Sequence, residues 1–95
     1  MDKCKIKWEC NNWYKNDLGL VYIVNQSGSR IILSGVQSEI WESINYQTHY
    51  DDLKRKLMAK GHISVSCMEE VLDLFEKNKL ISVMEESELF NSIFG

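Results

Sequence analysis

The first third of the chain follows the two-residue periodicity of β-strands. Residues 5–10 (KIKWEC) alternate polar and apolar side chains, the pattern of a half-buried strand. Residues 18–25 (LGLVYIVN) are rich in the β-branched and aromatic side chains that favour strands. A hairpin turn is predicted at residues 26–29, where Gly28 can adopt a positive φ, and residues 30–33 (RIIL) return as the next strand. This pattern predicts a three-stranded antiparallel meander.

The rest of the chain shows the periodicity of amphipathic helices. We predict three of them, over about residues 35–45, 48–61 and 66–78. Each carries apolar residues three or four positions apart, so each is expected to bury one face. The predicted buried positions are Val36, Ile40, Trp41 and Ile44 in the first helix, Tyr50, Leu53 and Leu57 in the second, and Met68, Val71, Leu72 and Phe75 in the third.

Polar residues at the predicted helix ends indicate how the helices are capped. We expect Ser34 to accept a hydrogen bond from an N-terminal amide of the first helix. Thr48 and Ser66 are each followed three residues later by an acid, which predicts capping boxes for the second and third helices. Asn78 is expected to end the third helix, with residues 80–83 as an extended exit. The order β-β-β-α-α-α predicts an α+β, winged-helix-like fold, with one three-stranded antiparallel sheet followed by three helices.

Length and composition restrict the classes of protein to consider. The 95 residues are enough for one domain, which we assign to residues 1–84, with residues 85–95 as an acidic and apolar tail. A net charge of −3 disfavours a partner bound mainly through its phosphates. There is no signal-peptide pattern and no apolar run of about 20 residues, so we expect a cytoplasmic protein without a membrane partner.

The sequence contains no motif of catalysis or cofactor binding. G-x-S-x-G, H-E-x-x-H, G-x-x-x-x-G-K-[ST] and G-x-G-x-x-G are all absent, so we expect no enzymatic activity and no cofactor. A metal site would have to recruit Cys4, Cys10, His62 and Cys67, but their spacings are not those of zinc sites. We therefore expect no metal, and reduced thiols rather than a disulfide framework.

Two other functions fit parts of the pattern. The second and third helices resemble a helix-turn-helix, which keeps a small winged-helix DNA-binding transcription regulator as an alternative. The third helix, however, carries Glu69, Glu70, Asp73 and Glu76 against Lys77 alone, and these carboxylates would repel phosphates, so nucleic acid is not the expected partner. The tail gives a further alternative, in which residues 89–94 (LFNSIF) dock into a larger enzyme or a second copy.

The last predicted strand has an unpaired edge unless a helix covers it. An extended peptide can pair with such an edge as one more strand, and the third helix can form the opposite wall of the groove. Leu74 lies off the main apolar stripe of that helix and is the better candidate for partner contact. The expected peptide-binding residues are Arg30, Ile31, Ile32 and Leu33 on the strand, and Met68, Val71, Leu74, Phe75 and Lys77 on the helix.

Two stretches of the chain resemble the PqqD-like family. In residues 27–41 (SGSRIILSGVQSEIW), a hairpin glycine is followed by a strand, a helix cap and a helix that carries Ile-Trp. Residues 67–81 (CMEEVLDLFEKNKLI) are similar to the closing helix and exit of that family. The resemblance covers about residues 20–83. Ser34 stands where the family has Asn, and Lys79 stands where it has Gly.

The resemblance implies a recognition element for the precursors of ribosomally made, post-translationally modified peptides. Such domains are similar to winged helices, have no activity of their own, and bind a leader peptide between the third strand and the third helix. They present the precursor to a maturation enzyme. The pattern looks closest to the stand-alone elements of lasso-peptide pathways, whose partner is a leader peptidase. A radical-SAM maturase is the other partner that the family implies.

Overall fold

The strands form two separate three-stranded antiparallel sheets in the computed structural model, which describes residues 4–85. Strands β2 (Trp13–Lys15), β3 (Val21–Val24) and β4 (Arg30–Leu33) form the meander sheet. Strands β5 (Gln47–His49), β1 (Cys4–Trp8) and β6 (Ile81–Glu85) form the terminal sheet, in that order. Three helices lie between β4 and β6 along the chain. The elements are β1 Cys4–Trp8, β2 Trp13–Lys15, β3 Val21–Val24, β4 Arg30–Leu33, α1 Val36–Ile44, β5 Gln47–His49, α2 Tyr50–Met58, α3 Val65–Lys77 and β6 Ile81–Glu85.

The meander sheet contains the predicted hairpin. Strands β3 and β4 pair antiparallel, with Val24 opposite Arg30 and Tyr22 opposite Ile32. Gly28 has a φ of 85°, as the tight turn requires, and the Asn25 side-chain oxygen accepts hydrogen bonds from the backbone of the turn. The hairpin prediction is confirmed. The first strand of the meander is β2, however, and not residues 5–10.

The alternating segment at the start of the chain belongs to the terminal sheet. In that sheet β1 lies between β5 and β6, with Ile6 opposite both Thr48 and Val83. Cys4 and Ile6 are buried on one face of β1, so the predicted alternation is present. The segment predicted as an extended exit, residues 80–83, contributes to β6, which pairs with β1 along five residues.

The predicted fold class is therefore correct in its coarse form and wrong in its sheet arrangement. The chain is a small α+β protein with three helices and antiparallel sheets in the described residues. A single sheet followed by three helices is not what the chain forms, because β5 separates α1 from α2 and β6 follows α3. The periodicity of a strand specifies its buried face but not its partner, and β1 finds both of its partners far along the chain.

The buried faces of the helices agree with the prediction except at Val36, which is half-buried against the core. Trp41 is fully buried at the centre of the core, where its ring contacts those of Trp8, Trp13 and Phe75. The inner face of the meander sheet contributes Val21, Ile23 and Leu33 to the same cluster. The buried helix residues are Ile40, Trp41 and Ile44 from α1, Tyr50, Leu53 and Leu57 from α2, and Met68, Val71, Leu72 and Phe75 from α3.

The predicted N-terminal caps are all displaced. Helix α1 follows Gly35 rather than Ser34, and α2 follows His49 rather than Thr48, in both cases without a side-chain cap. Helix α3 is capped by Ser64, whose hydroxyl accepts a hydrogen bond from the Cys67 N–H at 3.1 Å, and not by Ser66. Thr48 lies in β5, opposite Ile6 of β1. A capping rule uses only neighbouring residues and so does not predict this long-range pairing.

The C-terminal end of α3 places Lys79 in a left-handed conformation. Asn78 follows the last residue of α3 as its C-cap, as predicted, but its φ of −90° is not left-handed, and Lys79 has the φ of 60° instead. The Leu80 N–H donates to the Phe75 carbonyl at 2.9 Å and the Lys79 N–H to the Glu76 carbonyl at 3.0 Å. These two bonds are those of a Schellman motif. The motif turns the chain directly from α3 into β6.

Candidate functional site

Strand β4 has an open edge within residues 4–85, because it pairs there with β3 alone. The hairpin register shows which backbone groups face that edge. The Asn25 N–H donates to the Ser29 carbonyl at 3.0 Å, and hydrogen-bonded and non-hydrogen-bonded pairs alternate along an antiparallel ladder. Ile31 and Leu33 therefore turn their backbone groups toward β3. Arg30 and Ile32 turn theirs outward.

A hydrogen bond on the other side of β3 supports this alternation. The Val24 N–H donates to the Asn12 carbonyl at 3.1 Å, on the side of β2. Val24 is the residue opposite Arg30, so its backbone points away from β4 and the two residues form a non-hydrogen-bonded pair. It follows that the N–H and C=O groups of Arg30 and Ile32 are available to another strand at this edge.

The outer face of the meander sheet carries a row of apolar side chains, of which the middle one is half-buried and the outer two are exposed. Tyr14, Tyr22 and Ile32 lie opposite one another across the three strands. The rings of Tyr14 and Tyr22 are stacked, with 5.0 Å between their centroids. Tyr14 is 61% exposed and Ile32 is 57% exposed. This row extends to the open edge of β4, where Ile32 is its last member.

A shallow recess of about 300 Å³ lies on this outer face. Its volume is at the lower end of the range for small-molecule pockets, ~300–1,000 Å³. The lining residues are Asn12, Tyr14, Tyr22, Ile23, Val24, Arg30 and Ile32.

The predicted site residues of β4 divide into two groups. Arg30 and Ile32 are exposed and lie on the outer face, and they are also the residues whose backbone groups face the open edge. Ile31 is half-buried and Leu33 is buried, on the inner face against the core. In the folded protein, the side chains of Arg30 and Ile32 are therefore the ones on β4 that a partner can contact.

The predicted site residues of α3 divide in the same way. Met68, Val71 and Phe75 are buried in the core, so their side chains support the fold rather than line an open groove. Leu74 is 41% exposed, as expected for a residue off the apolar stripe. Lys77 is exposed and its Nζ lies 3.0 Å from an Asp73 carboxylate oxygen. Leu74 and Lys77 are thus the two predicted helix residues that solvent reaches.

Tyr14 and Tyr22 belong to the candidate surface but were not predicted as site residues. The signal was present in the sequence: once the turn fixes the register of β3 and β4, Tyr22 must share a face with Ile32. The same reasoning does not place Tyr14 on this face, because the sequence predicts residues 5–10 as the first strand of the meander, whereas that strand is β2.

The titratable groups outside this surface show ordinary structural roles. Burial raises the pKa of the Cys10 thiol, which donates a hydrogen bond to the Lys79 carbonyl at 3.7 Å. The Glu39 carboxylate lies 2.7 Å from His62 Nε2 and, by this hydrogen bond, raises the pKa of the imidazole. Within residues 4–85, no disulfide joins two of the cysteines, and no three His, Cys, Asp or Glu side chains are arranged to hold a metal ion.

No helix in the described part of the chain combines the length and apolarity needed to cross a membrane. Residues 89–94, the alternative docking segment, lie outside the described residues. Comparisons with protein-family models, curated proteins and solved structures find no match to this chain.

Proposed function

We propose that the protein is a non-catalytic adaptor that binds the leader segment of a ribosomally made precursor peptide. The leader adds to the meander sheet as a fourth strand beside β4, and the adaptor presents the attached core peptide to a maturation enzyme. A leader peptidase of the lasso type or a radical-SAM maturase is the enzyme that the PqqD-like resemblance suggests. The observation that carries the proposal is the outward-facing backbone of Arg30 and Ile32 at an open sheet edge.

Backbone pairing alone does not account for a useful affinity. Two residues of β4 can exchange about four hydrogen bonds with a peptide, each worth ~0.5–1.5 kcal/mol net. Association itself costs ~4–15 kcal/mol. A micromolar to nanomolar complex, roughly −8 to −12 kcal/mol, therefore needs apolar side-chain contacts in addition. Ile32 at the edge and Tyr22 beside it on β3 are exposed or half-buried apolar residues of the outer sheet face that can supply them.

The turn after α3 also supports the resemblance. Lys79 occupies the position where the PqqD-like pattern has glycine, and its φ of 60° is a conformation that glycine favours. The backbone geometry of the turn is thus one that the family residue would adopt readily. An adaptor of this class would work in the cytoplasm, which the sequence features also favour, as a winged-helix-like module beside its enzyme.

The direct test is titration with synthetic peptides that tile every short reading frame found next to the gene of this protein. We expect one stretch of peptide to bind saturably, with a Kd between about 1 nM and 1 μM. Peptides of that stretch that carry a single N-methyl group should alternate in affinity. Methylation weakens binding where the N–H faces β4 and has little effect at the next residue. Absence of saturable binding by every peptide would contradict the proposal.

A substitution on the protein separates edge pairing from side-chain contact. Ile32→Pro removes the outward N–H and leaves the ladder between β3 and β4, because that ladder uses Ile31 and Leu33. We expect at least tenfold weaker peptide binding with an unchanged circular dichroism spectrum. Ile32→Val is the matched control, since it keeps the N–H and most of the apolar surface and should bind within about threefold of the wild type.

Two charged substitutions test the two walls of the proposed groove. Ile32→Asp and Leu74→Asp each place a carboxylate on an exposed apolar position, so the fold should tolerate both. Each should weaken peptide binding if the peptide lies between β4 and α3. If Leu74→Asp binds like the wild type while Ile32→Asp does not, the peptide occupies the edge and the outer sheet face without contact to α3.

A further inference from the structure

We infer that the peptide bound at β4 carries an apolar or aromatic residue and, two residues further toward its C-terminus, a carboxylate, both on the outer face of the meander sheet. This inference rests on the proposed function, because it names the chemistry of the peptide that the open edge selects. It is carried by the register of β4, by the row of Tyr14, Tyr22 and Ile32 on the outer face, and by the charge of Arg30.

The residues of the guest strand that pair with Arg30 and Ile32 are fixed by the alternation of the ladder. Both β4 residues turn their backbone groups outward, so each forms a hydrogen-bonded pair with the guest residue opposite it. In a pleated sheet, residues directly opposite one another point to the same face. The two guest residues that make the backbone bonds therefore also place their side chains on the outer face. The guest residue between them faces the inner side.

The guest residue opposite Ile32 continues the row on the outer face. Beyond Ile32 that row has Tyr22 and then Tyr14, whose stacked rings cover the outer face as far as β2. A polar guest residue at this position would leave the 57% exposed Ile32 side chain without an apolar neighbour on the edge. Cross-strand pairs of aromatic or branched aliphatic residues are favourable, so the position selects an apolar or aromatic side chain.

The guest residue opposite Arg30 meets a cation. Arg30 is exposed and has no ion pair within residues 4–85, whereas Lys77, the other cation of the predicted site, is already paired with Asp73. The guanidinium group presents a fork of donors that matches a carboxylate. Charge complementarity therefore places Asp or Glu opposite Arg30, and a basic residue there would be repelled.

The direction of the guest strand sets the order of these two residues. Both ladders of the meander sheet are antiparallel, and antiparallel pairing is the more stable arrangement per residue. A guest strand antiparallel to β4 passes Ile32 first and Arg30 second. Read from the N-terminus, the selected pattern is therefore apolar-x-acidic, and the reverse order would require a parallel strand.

The experiment is selection from a random library of displayed 12-residue peptides on the wild-type protein and on Arg30→Glu, with Ile32→Pro as the control that lacks the edge. We expect the wild type to enrich apolar-x-acidic peptides and Arg30→Glu to enrich apolar-x-basic peptides. Ile32→Pro should retain neither set. A synthetic peptide from the wild-type selection should bind Arg30→Gln about threefold more weakly than it binds the wild type, because an exposed ion pair contributes modestly to affinity.

The possible outcomes separate this inference from the function on which it rests. Enriched peptides that depend on the Ile32 N–H but lack the pattern, show the reverse order, or ignore Arg30→Glu would overturn the inference and leave the adaptor proposal standing. If neither the library nor the tiled reading-frame peptides bind, both fall. A wild-type mass of two chains in sedimentation, reduced to one by Ile32→Pro, would assign the edge to a second copy and overturn the inference.

Discussion

The indole ring of Trp8 lies stacked on that of Trp41, with 4.9 Å between their centroids, and Trp8 Nε1 donates a hydrogen bond to the Trp41 carbonyl at 3.1 Å. This pair joins β1 of the terminal sheet to α1, the helix that follows the meander sheet. The relationship is asymmetric, because the buried Nε1 of Trp41 has no hydrogen-bond partner within residues 4–85. Trp8 supplies both the stacking and the polar contact that fix α1 against β1.

Trp8→Phe is expected to lower the free energy of unfolding by about 1–2 kcal/mol, because it removes the hydrogen bond and part of the aromatic contact. The measurement is urea denaturation followed by circular dichroism. Trp13→Phe is the matched control: Trp13 is also half-buried and makes edge-to-face contacts, so a smaller loss is expected. Equal losses for the two variants would contradict the role given to the Trp8 donor.

Lys79→Gly is expected to stabilise the protein by about 0.5–1 kcal/mol, because glycine adopts the left-handed conformation without the steric cost that a lysine has there. Chemical denaturation measures the change. Asn78→Gly, one residue earlier and at a φ of −90°, is the control. It gains nothing from the conformation and should be neutral or destabilising. If Asn78→Gly stabilises the protein and Lys79→Gly does not, the left-handed conformation is not at Lys79.

Ser64→Ala is expected to cost about 1 kcal/mol, the usual effect of removing an N-cap hydroxyl, since this oxygen accepts from the Cys67 amide. Ser66→Ala changes an exposed residue inside the first turn of α3 and should alter stability by less than about 0.5 kcal/mol. Thermal or urea unfolding of the two variants decides between the caps. A larger effect at Ser66 would restore the capping box predicted from the sequence.

The pair of His62 and Glu39 is expected to make stability depend on pH near neutrality. The carboxylate raises the pKa of His62 above the ordinary 6.5, so the folded protein binds this proton more tightly than the unfolded chain does. The contribution is present in full below about pH 6.5 and is lost as pH rises through the folded-state pKa. Comparing the unfolding free energies of the wild type and His62→Gln from pH 5.5 to 8.5 measures it.

The difference between these two proteins should shrink toward high pH. The chemical shifts of the His62 ring protons, followed by NMR as a function of pH, measure the pKa of His62 independently. Glu39→Gln should return that pKa toward 6.5. A His62 pKa that does not respond to Glu39→Gln would show that the ion pair is not formed in solution.

The cysteines are expected to react at different rates with an alkylating reagent. Cys67 is half-buried near the start of α3, whereas Cys10 is buried and burial raises the pKa of its thiol, which reduces the fraction of reactive thiolate. At pH 8, mass spectrometry of alkylated peptides should show modification of Cys67 before Cys10. The order should disappear in urea. Faster labelling of Cys10 in the folded protein would contradict its burial.

The features that the sequence predicted correctly are those with a local cause. The buried faces of α1, α2 and α3 follow from the spacing of apolar residues, and the hairpin follows from Gly28 between two strand-forming runs. The exposure of Leu74 followed from its place off the stripe of α3. These depend on neighbours three or four residues away, or directly across a short turn.

The features that were missed depend on distant partners or on choices between similar residues. Ile6 pairs with Thr48 and Val83, and the alternation around Ile6 cannot identify either. Ser66 has an acid three residues later and Ser64 does not, yet Ser64 is the cap, because the chain enters α3 two residues earlier than the capping box predicts. At the candidate site, the open edge of β4 was predicted, whereas the outer aromatic face needed the true register of β2.

The terminal sheet also has a consequence for how the chain acquires its structure. Cys4 lies opposite Glu85, so the central strand of that sheet is bordered by the segment synthesised about eighty residues later. During translation the edge of β1 that pairs with β6 stays unpaired until residues 81–85 have left the ribosome, while the β3–β4 hairpin needs only residues 21–33. The strand pairing of the sheet proposed to capture a peptide can thus form early, whereas the terminal sheet is completed last.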